Sequence, residues 1–113
     1  MISLSWPVRA LSPNSRAHWS GVARAKAAAK NQGFWLACAA YGNRFKGAEA
    51  LTLSITFCPP DNRRRDLDNM VASIKAHIDG ISKAIGVDDS KFALRIQRGE
   101  VVKDGAVLVE VLA

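Results

Sequence analysis

The residue types with the most chemical potential lie together in one stretch, which reads Asn-Arg-Arg-Arg-Asp-Leu-Asp-Asn at 62–69. Arginine guanidinium groups bind phosphates, whereas the carboxylates of Asp66 and Asp68 repel them unless a cation lies between. Mg²⁺ fits this role, because proteins usually hold it through one or two carboxylates together with phosphate oxygens. The stretch therefore predicts a protein that acts on a phosphodiester with the help of a divalent metal.

Each part of this stretch also has a purely structural interpretation. An aspartate at a helix start, such as Asp66, can cap free backbone N–H groups and complement the helix dipole, which is worth about 0.5–2 kcal/mol. A run of arginines can be a solvated or ion-paired surface, and Asp88-Asp89 further along can be an ordinary polar turn. A cap gains nothing from added positive charge at the positive end of a helix, so the adjacency favours a functional site.

Length and composition limit the class of protein. The chain has 113 residues, which fits a single domain spanning 1–113, and its 49% hydrophobic and 23% charged residues are typical of a globular protein. The net charge of +6 favours a polyanionic partner. No apolar run approaches ~18 residues and no signal peptide is visible, so we expect a cytoplasmic protein without membrane segments. Cys38 and Cys58 lack C-x-x-C spacing and are expected to be reduced core residues.

Hydrophobic periodicity predicts the elements that must position these residues. In chain order they are a strand at 2–6, a helix at 21–41, a strand at 51–57, a helix at 67–85, a strand at 92–97 and a hairpin in which 101–102 and 107–111 flank Lys103-Asp104-Gly105. Ser20 or Gly21 should cap the first helix, and Gly33 weakens its middle. The order β-α-β-α-β-β predicts an α/β (α+β) fold, a small mixed sheet with two main helices packed against it.

One side of the second predicted helix gathers charged residues. At ~100° per residue, Lys75 lies about 20° to one side of Asp68 and Asp79 lies about 20° to the other. Asp66 stands at or just before the first turn, where its carboxylate can either cap the helix or turn toward the same side. His77 lies about 180° from Asp68 and is not expected to be a ligand.

Two motifs in this order resemble the RusA family of Holliday junction resolvases. They are Arg-Arg-Arg-Asp-Leu-Asp-Asn at 63–69 and Gly-Val-Asp-Asp-Ser at 86–90, separated by an apolar helix and followed by a closing hairpin. A strand ending at Trp6-Pro7 and a Ser-Pro-Asn-Ser-Arg loop at 12–16 fit as well, so the resemblance spans nearly the whole chain. It implies a RusA-like fold and a Mg²⁺-dependent (or Mn²⁺-dependent) endodeoxyribonuclease that acts as a homodimer on four-way DNA junctions, in phage or prophage recombination and DNA repair.

The resemblance also implies roles for individual residues. The metal-binding aspartates would be Asp66, Asp68 and Asp89, with Asp88 as the alternative to Asp89. The residues expected to bind nucleic acid are Arg16, Arg63, Arg64, Arg65 and Asn69. Contacts of this kind to backbone phosphates contribute affinity but little sequence information.

One position departs from the family pattern, in which a catalytic lysine often follows the second aspartate by four residues. That position is Ala72 here, and the nearest lysine on the same side is Lys75, about 10 Å along the helix axis from Asp68 rather than ~6 Å. We expect Lys75 to take the catalytic role, with Arg65 as another candidate cation. The alternative is a non-catalytic protein of the same fold that binds branched nucleic acid. A nucleotide phosphotransferase is disfavoured, because the chain has no Gly-rich phosphate loop.

Overall fold

Four strands and three helices make up the fold, in a computed structural model that describes residues 1–113. In chain order they are β1 (Ile2–Ser5), α1 (Trp19–Tyr41), β2 (Leu51–Cys58), α2 (Leu67–Ser73), α3 (Lys75–Ile85), β3 (Phe92–Arg98) and β4 (Ala106–Leu112). Short 3₁₀ helices lie at Arg9–Leu11 and Asp89–Lys91. None of the helices combines the length and apolar character that crossing a bilayer requires. The predicted α/β class is confirmed.

The sheet is mixed, with the strand order β1-β4-β2-β3. β4 is antiparallel to both of its neighbours, whereas β2 and β3 are parallel, with Leu51 opposite Phe92 and Phe57 opposite Arg98. Parallel neighbours require a long crossover, which here is formed by α2 and α3. This crossover starts where β2 ends, so the predicted functional stretch lies at the carboxyl end of the parallel pair.

The predicted closing hairpin is wrong. β3 and β4 lie on either side of β2, and Val101 and Val102 belong to the connecting loop rather than to a strand. The Asp104-Gly105 turn does form, with φ angles of +63° and +70°. It redirects the chain into β4 without joining two paired strands, because the neighbours of β4 in the sheet are β1 and β2.

The hydrophobic core lies between one face of the sheet and the helices. Alternate residues of β2 are buried in it, namely Leu51, Leu53, Ile55 and Phe57. They pack against apolar residues of α2 and α3, among them Met70, Ile78 and Ile81. Both cysteines are free thiols, with Cys58 buried and Cys38 half-buried.

Two glycines allow α1 and α3 to pack with their backbones in contact. A Cβ atom on Gly33 would lie 2.3 Å from the carbonyl oxygen of His77, and a Cβ atom on Gly80 would lie 2.0 Å from that of Lys30. Each helix thus presents a glycine to the backbone of the other. Gly33, predicted as a weak point of α1, is required by this packing.

α1 begins two residues earlier than predicted. Its N-cap is His18 rather than Ser20 or Gly21, and the ring Nδ1 of His18 accepts a hydrogen bond from the Ser20 backbone N–H at 3.2 Å. A ring nitrogen here performs the capping role that a serine or aspartate side chain usually has.

The prediction of one continuous helix over 67–85 is wrong, because the helix is divided at Ile74. The backbone there has φ −108° and ψ 11°, and the Ile74 N–H donates to the Val71 carbonyl at 3.2 Å, a spacing of three residues instead of four. The fully buried Ile74 side chain belongs to the core at this junction. The buried stripe nevertheless continues across the division, since Met70, Ile74, Ile78, Ile81 and Ile85 are all buried at helical spacing.

Candidate nucleic-acid interface

The carboxyl ends of three strands meet at one edge of the sheet, because β1 runs in the same direction as β2 and β3. The loops that follow β1 and β2 face each other there across a cleft with a volume of about 610 Å³. One wall comes from residues 6–12, and the other comes mainly from residues 60–73. Ligands of α/β proteins commonly bind beyond the carboxyl ends of the strands, so this cleft is the candidate site.

The three arginines of the predicted phosphate-binding run are not equivalent. Arg65 is directed inward, and its side chain is only 16% exposed. Its Nη1 lies 2.9 Å from the Asp61 carboxylate and donates to the carbonyls of Asp61 and Arg63 at 3.2 Å each. The guanidinium also lies 5.4 Å from the centre of the Trp6 ring. Arg65 therefore holds the loop that precedes α2 through its Nη1, and its low exposure leaves little of the guanidinium open to a ligand.

Arg63 and Arg64 remain available on the rim of the cleft. The Arg63 side chain is 75% exposed, with one 3.4 Å contact from its Nε to Asp61. Arg64 is exposed, lines the cleft and takes part in none of the four ion pairs of the protein. Of the three arginines, Arg64 can meet a phosphate without leaving a protein partner, and Arg63 has to give up only its single 3.4 Å contact.

Asp61 shapes the loop of the candidate site and was not predicted from the sequence. Besides pairing with Arg65, its carboxylate accepts a hydrogen bond from the Arg63 backbone N–H at 2.9 Å. Hydrogen bonding from Arg65 is the main reason why the pKa of Asp61 falls to about 2. The i,i+4 spacing of Asp61 and Arg65 directly after Pro59-Pro60 was the available signal.

Two further arginines near this edge were also missed. Arg98, the last residue of β3, donates from its Nη1 to the Arg65 carbonyl at 3.0 Å. Arg9, in the first 3₁₀ helix, lines the wall opposite the arginine run. Arg98 could have been predicted if β2 and β3 had been recognised as parallel neighbours, since their carboxyl ends then lie at one edge.

Asp66 is the N-cap residue of α2, yet its carboxylate accepts no capping hydrogen bond. The alternative that this side chain caps the helix is therefore not what the structure shows. Asp66 lines the cleft together with Asn69. Asp68, in the first turn, accepts a hydrogen bond from the Asn69 backbone N–H at 3.0 Å and does not line the cleft. Both carboxylates are free of ion pairs.

Lys75 is engaged by two other carboxylates. Its Nζ lies 2.9 Å from Asp79 and 2.8 Å from Asp89, which the turn after α3 brings back alongside the helix. The hydrogen bonds to Asp79 and then Asp89 raise the pKa of Lys75. The predicted grouping of Lys75 with Asp79 is thus found, whereas Asp68 takes no part in it. The lysine ammonium is directed toward the Asp89 turn.

The two aspartates of the later pair have different roles. Asp88 caps the second 3₁₀ helix, since its carboxylate accepts hydrogen bonds from both the backbone N–H, at 3.0 Å, and the hydroxyl of Ser90. Hydrogen bonding from the hydroxyl of Ser90 is the main reason why the pKa of Asp88 is lowered. Asp89 is the member of the pair that faces Lys75.

The predicted metal-binding set of Asp66, Asp68 and Asp89 is not assembled. No three His, Cys, Asp or Glu side chains lie close enough to share a metal ion, and Asp89 is paired with Lys75. Asp66 and Asp68 remain as two unpaired carboxylates at the start of α2. Two carboxylates, completed by phosphate oxygens of a substrate, match the donor set that Mg²⁺ uses, whereas a closed cage of three carboxylates does not fit this structure.

Two other residues considered from the sequence lie outside the cleft. Arg16 is exposed in the loop before α1 and does not line the cleft. His77 is only 3% exposed, and its Nδ1 has no hydrogen-bond partner. Burial lowers the pKa of His77, so the neutral ring is favoured. Its position is consistent with the prediction that it is not a ligand.

Comparison with known proteins adds one relative. The chain is 35% identical over 115 residues to an uncharacterized protein of Xylella fastidiosa strain Temecula1, which covers 97% of this chain and 74% of that protein. No family model matches the chain.

Proposed function

The chain belongs to the same protein family as the uncharacterized protein of Xylella fastidiosa, and we propose that it is a metal-dependent endodeoxyribonuclease that cuts four-way DNA junctions. One observation carries the proposal: the exposed guanidinium groups of Arg63 and Arg64 line the same cleft as the carboxylate of Asp66, which accepts no capping hydrogen bond. Phosphate-binding and metal-binding groups thus meet at one opening. The resemblance to the RusA family supplies the junction as the substrate.

The arginines would hold the DNA backbone on either side of the scissile phosphate. Arg63 and Arg64 would bind phosphates directly, and Arg65 would act through the shape of the loop, because its side chain is largely buried and its Nη1 is held by the loop. Arg9 adds a positive charge on the opposite wall. Contacts to phosphates are independent of sequence and weaken steeply with salt, so the shape of the junction must provide the selectivity.

The acidic residues would provide the chemistry. Asp66 and Asp68 would hold Mg²⁺, and the bound ion would neutralise negative charge on the phosphate. The Asp66 carboxylate accepts no capping bond from the protein, so its oxygens are available without the loss of an existing interaction. Asn69, on the same wall, would donate its side-chain amide to a phosphate oxygen and help to orient the phosphate.

A homodimer would match the symmetry of the substrate. Resolution of a four-way junction needs two equivalent nicks, and a twofold dimer presents two equivalent sites. Dimerisation would also double the net charge of +6 that each chain carries, which suits the crowded phosphates at a strand crossover.

A second candidate function is non-catalytic binding of branched nucleic acid. The observation that favours it is that no unpaired lysine occupies the expected catalytic position. Ala72 stands where the family usually has its catalytic lysine, and Lys75 is paired with Asp79 and Asp89. A lysine held by two carboxylates has one of its three ammonium N–H groups left to stabilise a leaving oxygen, and its charge is already compensated.

Incubation with a synthetic four-way junction and Mg²⁺ or Mn²⁺ distinguishes the two candidates. We expect paired, symmetric nicks from the unaltered protein and none from Asp66→Asn or Asp68→Asn. Both variants should bind the junction at least as tightly as the unaltered protein, since each removes a charge that repels DNA. Glu49→Gln, an exposed substitution at the opposite edge of the sheet, is the control. Junction binding without nicks would reject the nuclease in favour of the binding protein, and absence of binding would reject both.

A further inference from the structure

The cleft continues into a second cavity. This neighbouring cavity has a volume of about 400 Å³, and Ser12 and Ser73 line both spaces. Its walls come from the loop after the first 3₁₀ helix, from α1 and from the junction between α2 and α3. The two cavities together form one groove that runs from the arginine run, past Asp66 and Asn69, to α1.

The length of the groove suits more than one phosphate. From Asn69 in the cleft to Ala76 in the second cavity, seven helical residues span roughly 10 Å. Phosphates of one duplex strand are about 3.4 Å apart when measured along the helix axis, and farther apart along the strand itself. A wall of this length therefore extends beyond a single phosphate.

The charged groups in the second cavity are not equally available. Lys75 is paired with Asp79, which also lines the cavity, and with Asp89, so its charge is fully compensated and the three groups together carry a charge of −1. Lys26, on α1, lines the cavity, is exposed and belongs to none of the four ion pairs. α1 has no acidic residue in any of its 23 positions, so no carboxylate on its own helix competes for this ammonium group.

We propose that this second cavity is a binding site for the DNA backbone beyond the scissile phosphate, and that Lys26 is its phosphate-binding residue. The inference rests on the proposed function and extends it, because it assigns the path of the bound strand: from the arginine loop, along α2, toward α1. Lys26 neutralises one phosphate, while Ser12 at the boundary offers its hydroxyl group to the backbone between the two sites.

The test compares Lys26→Ala with Lys46→Ala, a matched change at an exposed lysine beyond the end of α1. Binding to a four-way junction is measured from 50 to 200 mM salt. Loss of one phosphate contact should reduce the slope of log K against log salt by about 1 for Lys26→Ala. The affinity of the unaltered protein should then fall about fourfold more than that of the variant over this range. Lys26→Arg should retain the original slope, and Lys46→Ala should leave it unchanged.

Arg64→Ala, measured in the same assay, separates the two proposals. If Arg64→Ala lowers the slope and Lys26→Ala does not, the cleft binds DNA and the continuation toward α1 is wrong. If neither variant changes the slope, the proposed function fails as well. A Lys26→Ala slope equal to that of Lys46→Ala overturns the assignment of Lys26, and thermal unfolding of both variants shows whether the fold is retained.

Discussion

The Nη1 atom of Arg65 lies 2.9 Å from the carboxylate of Asp61, and this ion pair closes the loop that leads from β2 into α2. The same carboxylate binds the Arg63 backbone N–H, and Arg98 binds the Arg65 carbonyl from the end of β3. Arg65 is thereby held inward, whereas Arg63 and the neighbouring Arg64 are left on the rim. One arginine of the run shapes the loop so that the other two can bind a ligand.

Asp61→Asn should weaken junction binding, although it removes a negative charge near the DNA. Coulomb interaction alone predicts tighter binding, but loss of the Asp61–Arg65 pair releases the loop that carries Arg63 and Arg64. Fluorescence anisotropy with a labelled junction measures the effect, with Asp61→Glu as the conservative variant that should retain part of the affinity. Binding as tight as that of Asp68→Asn would show that the loop needs no such anchor.

Lys75→Met should abolish cleavage and leave folding nearly intact. The lysine side chain is 66% exposed, and exposed ion pairs contribute only about 0–1 kcal/mol each, so the loss of stability should be small. Nicking rates report catalysis and chemical denaturation reports stability. Adding Ala72→Lys to Lys75→Met, which places a lysine four residues after Asp68, should restore some activity. Full activity of Lys75→Met would show that another cation, such as Arg65, takes the catalytic role.

Gly33→Ala should destabilise the protein by about 1–3 kcal/mol or more, in spite of the better helix propensity of alanine. The new Cβ atom would lie 2.3 Å from a backbone oxygen of α3, which can move only if the helices separate. Gly21→Ala is the control on the same helix, because nothing lies within 4 Å of a Cβ atom there. Urea unfolding compares the two, and equal stabilities would contradict the tight packing of α1 on α3.

His77→Leu should leave the free energy of unfolding at neutral pH unchanged or raise it by about 1 kcal/mol, since it removes a buried nitrogen that has no partner. It should also flatten the pH dependence. Burial lowers the pKa of His77 below 6.5, so the stability associated with the neutral ring is complete above pH 6.5 and is lost as the pH falls below that value. Unfolding curves at pH 7.5 and pH 5 test both statements, and a pH dependence as steep in the variant as in the unaltered protein would contradict the second.

Elements whose signal lies within a few residues were predicted well. The alternation of Leu51 to Phe57 identified β2, because period-two burial on one face of a sheet is a local property of a strand. The apolar stripe from Leu67 to Ile85 identified the second helical region in the same way. Its division at Ile74 was missed, because Ile74 itself continues the apolar stripe and no glycine or proline marks the break.

Contacts between distant residues could not be predicted in this way. Asp104-Gly105 forms the expected turn, yet the hairpin is absent, because the partners of β4 come from the start and the middle of the chain. The pairing of Lys75 with Asp89 likewise depends on how the turn after α3 folds back. Helical spacing fixed only the relation of Lys75 to Asp79 on its own helix.

The amino-acid sequence by itself determined the order of the elements, the mixed α/β class and the position of the arginine and aspartate residues at the start of a helix. Only the tertiary structure decided which of these side chains lack a protein partner. Arg65 is paired with Asp61 and Asp89 is paired with Lys75, whereas the carboxylate of Asp66 lines the cleft without a capping hydrogen bond. The physical reason is the distance along the chain over which each signal acts. Periodicity and turn chemistry act over a few residues, whereas the availability of a charged group depends on every loop that the parallel pairing of β2 and β3 brings to the same edge.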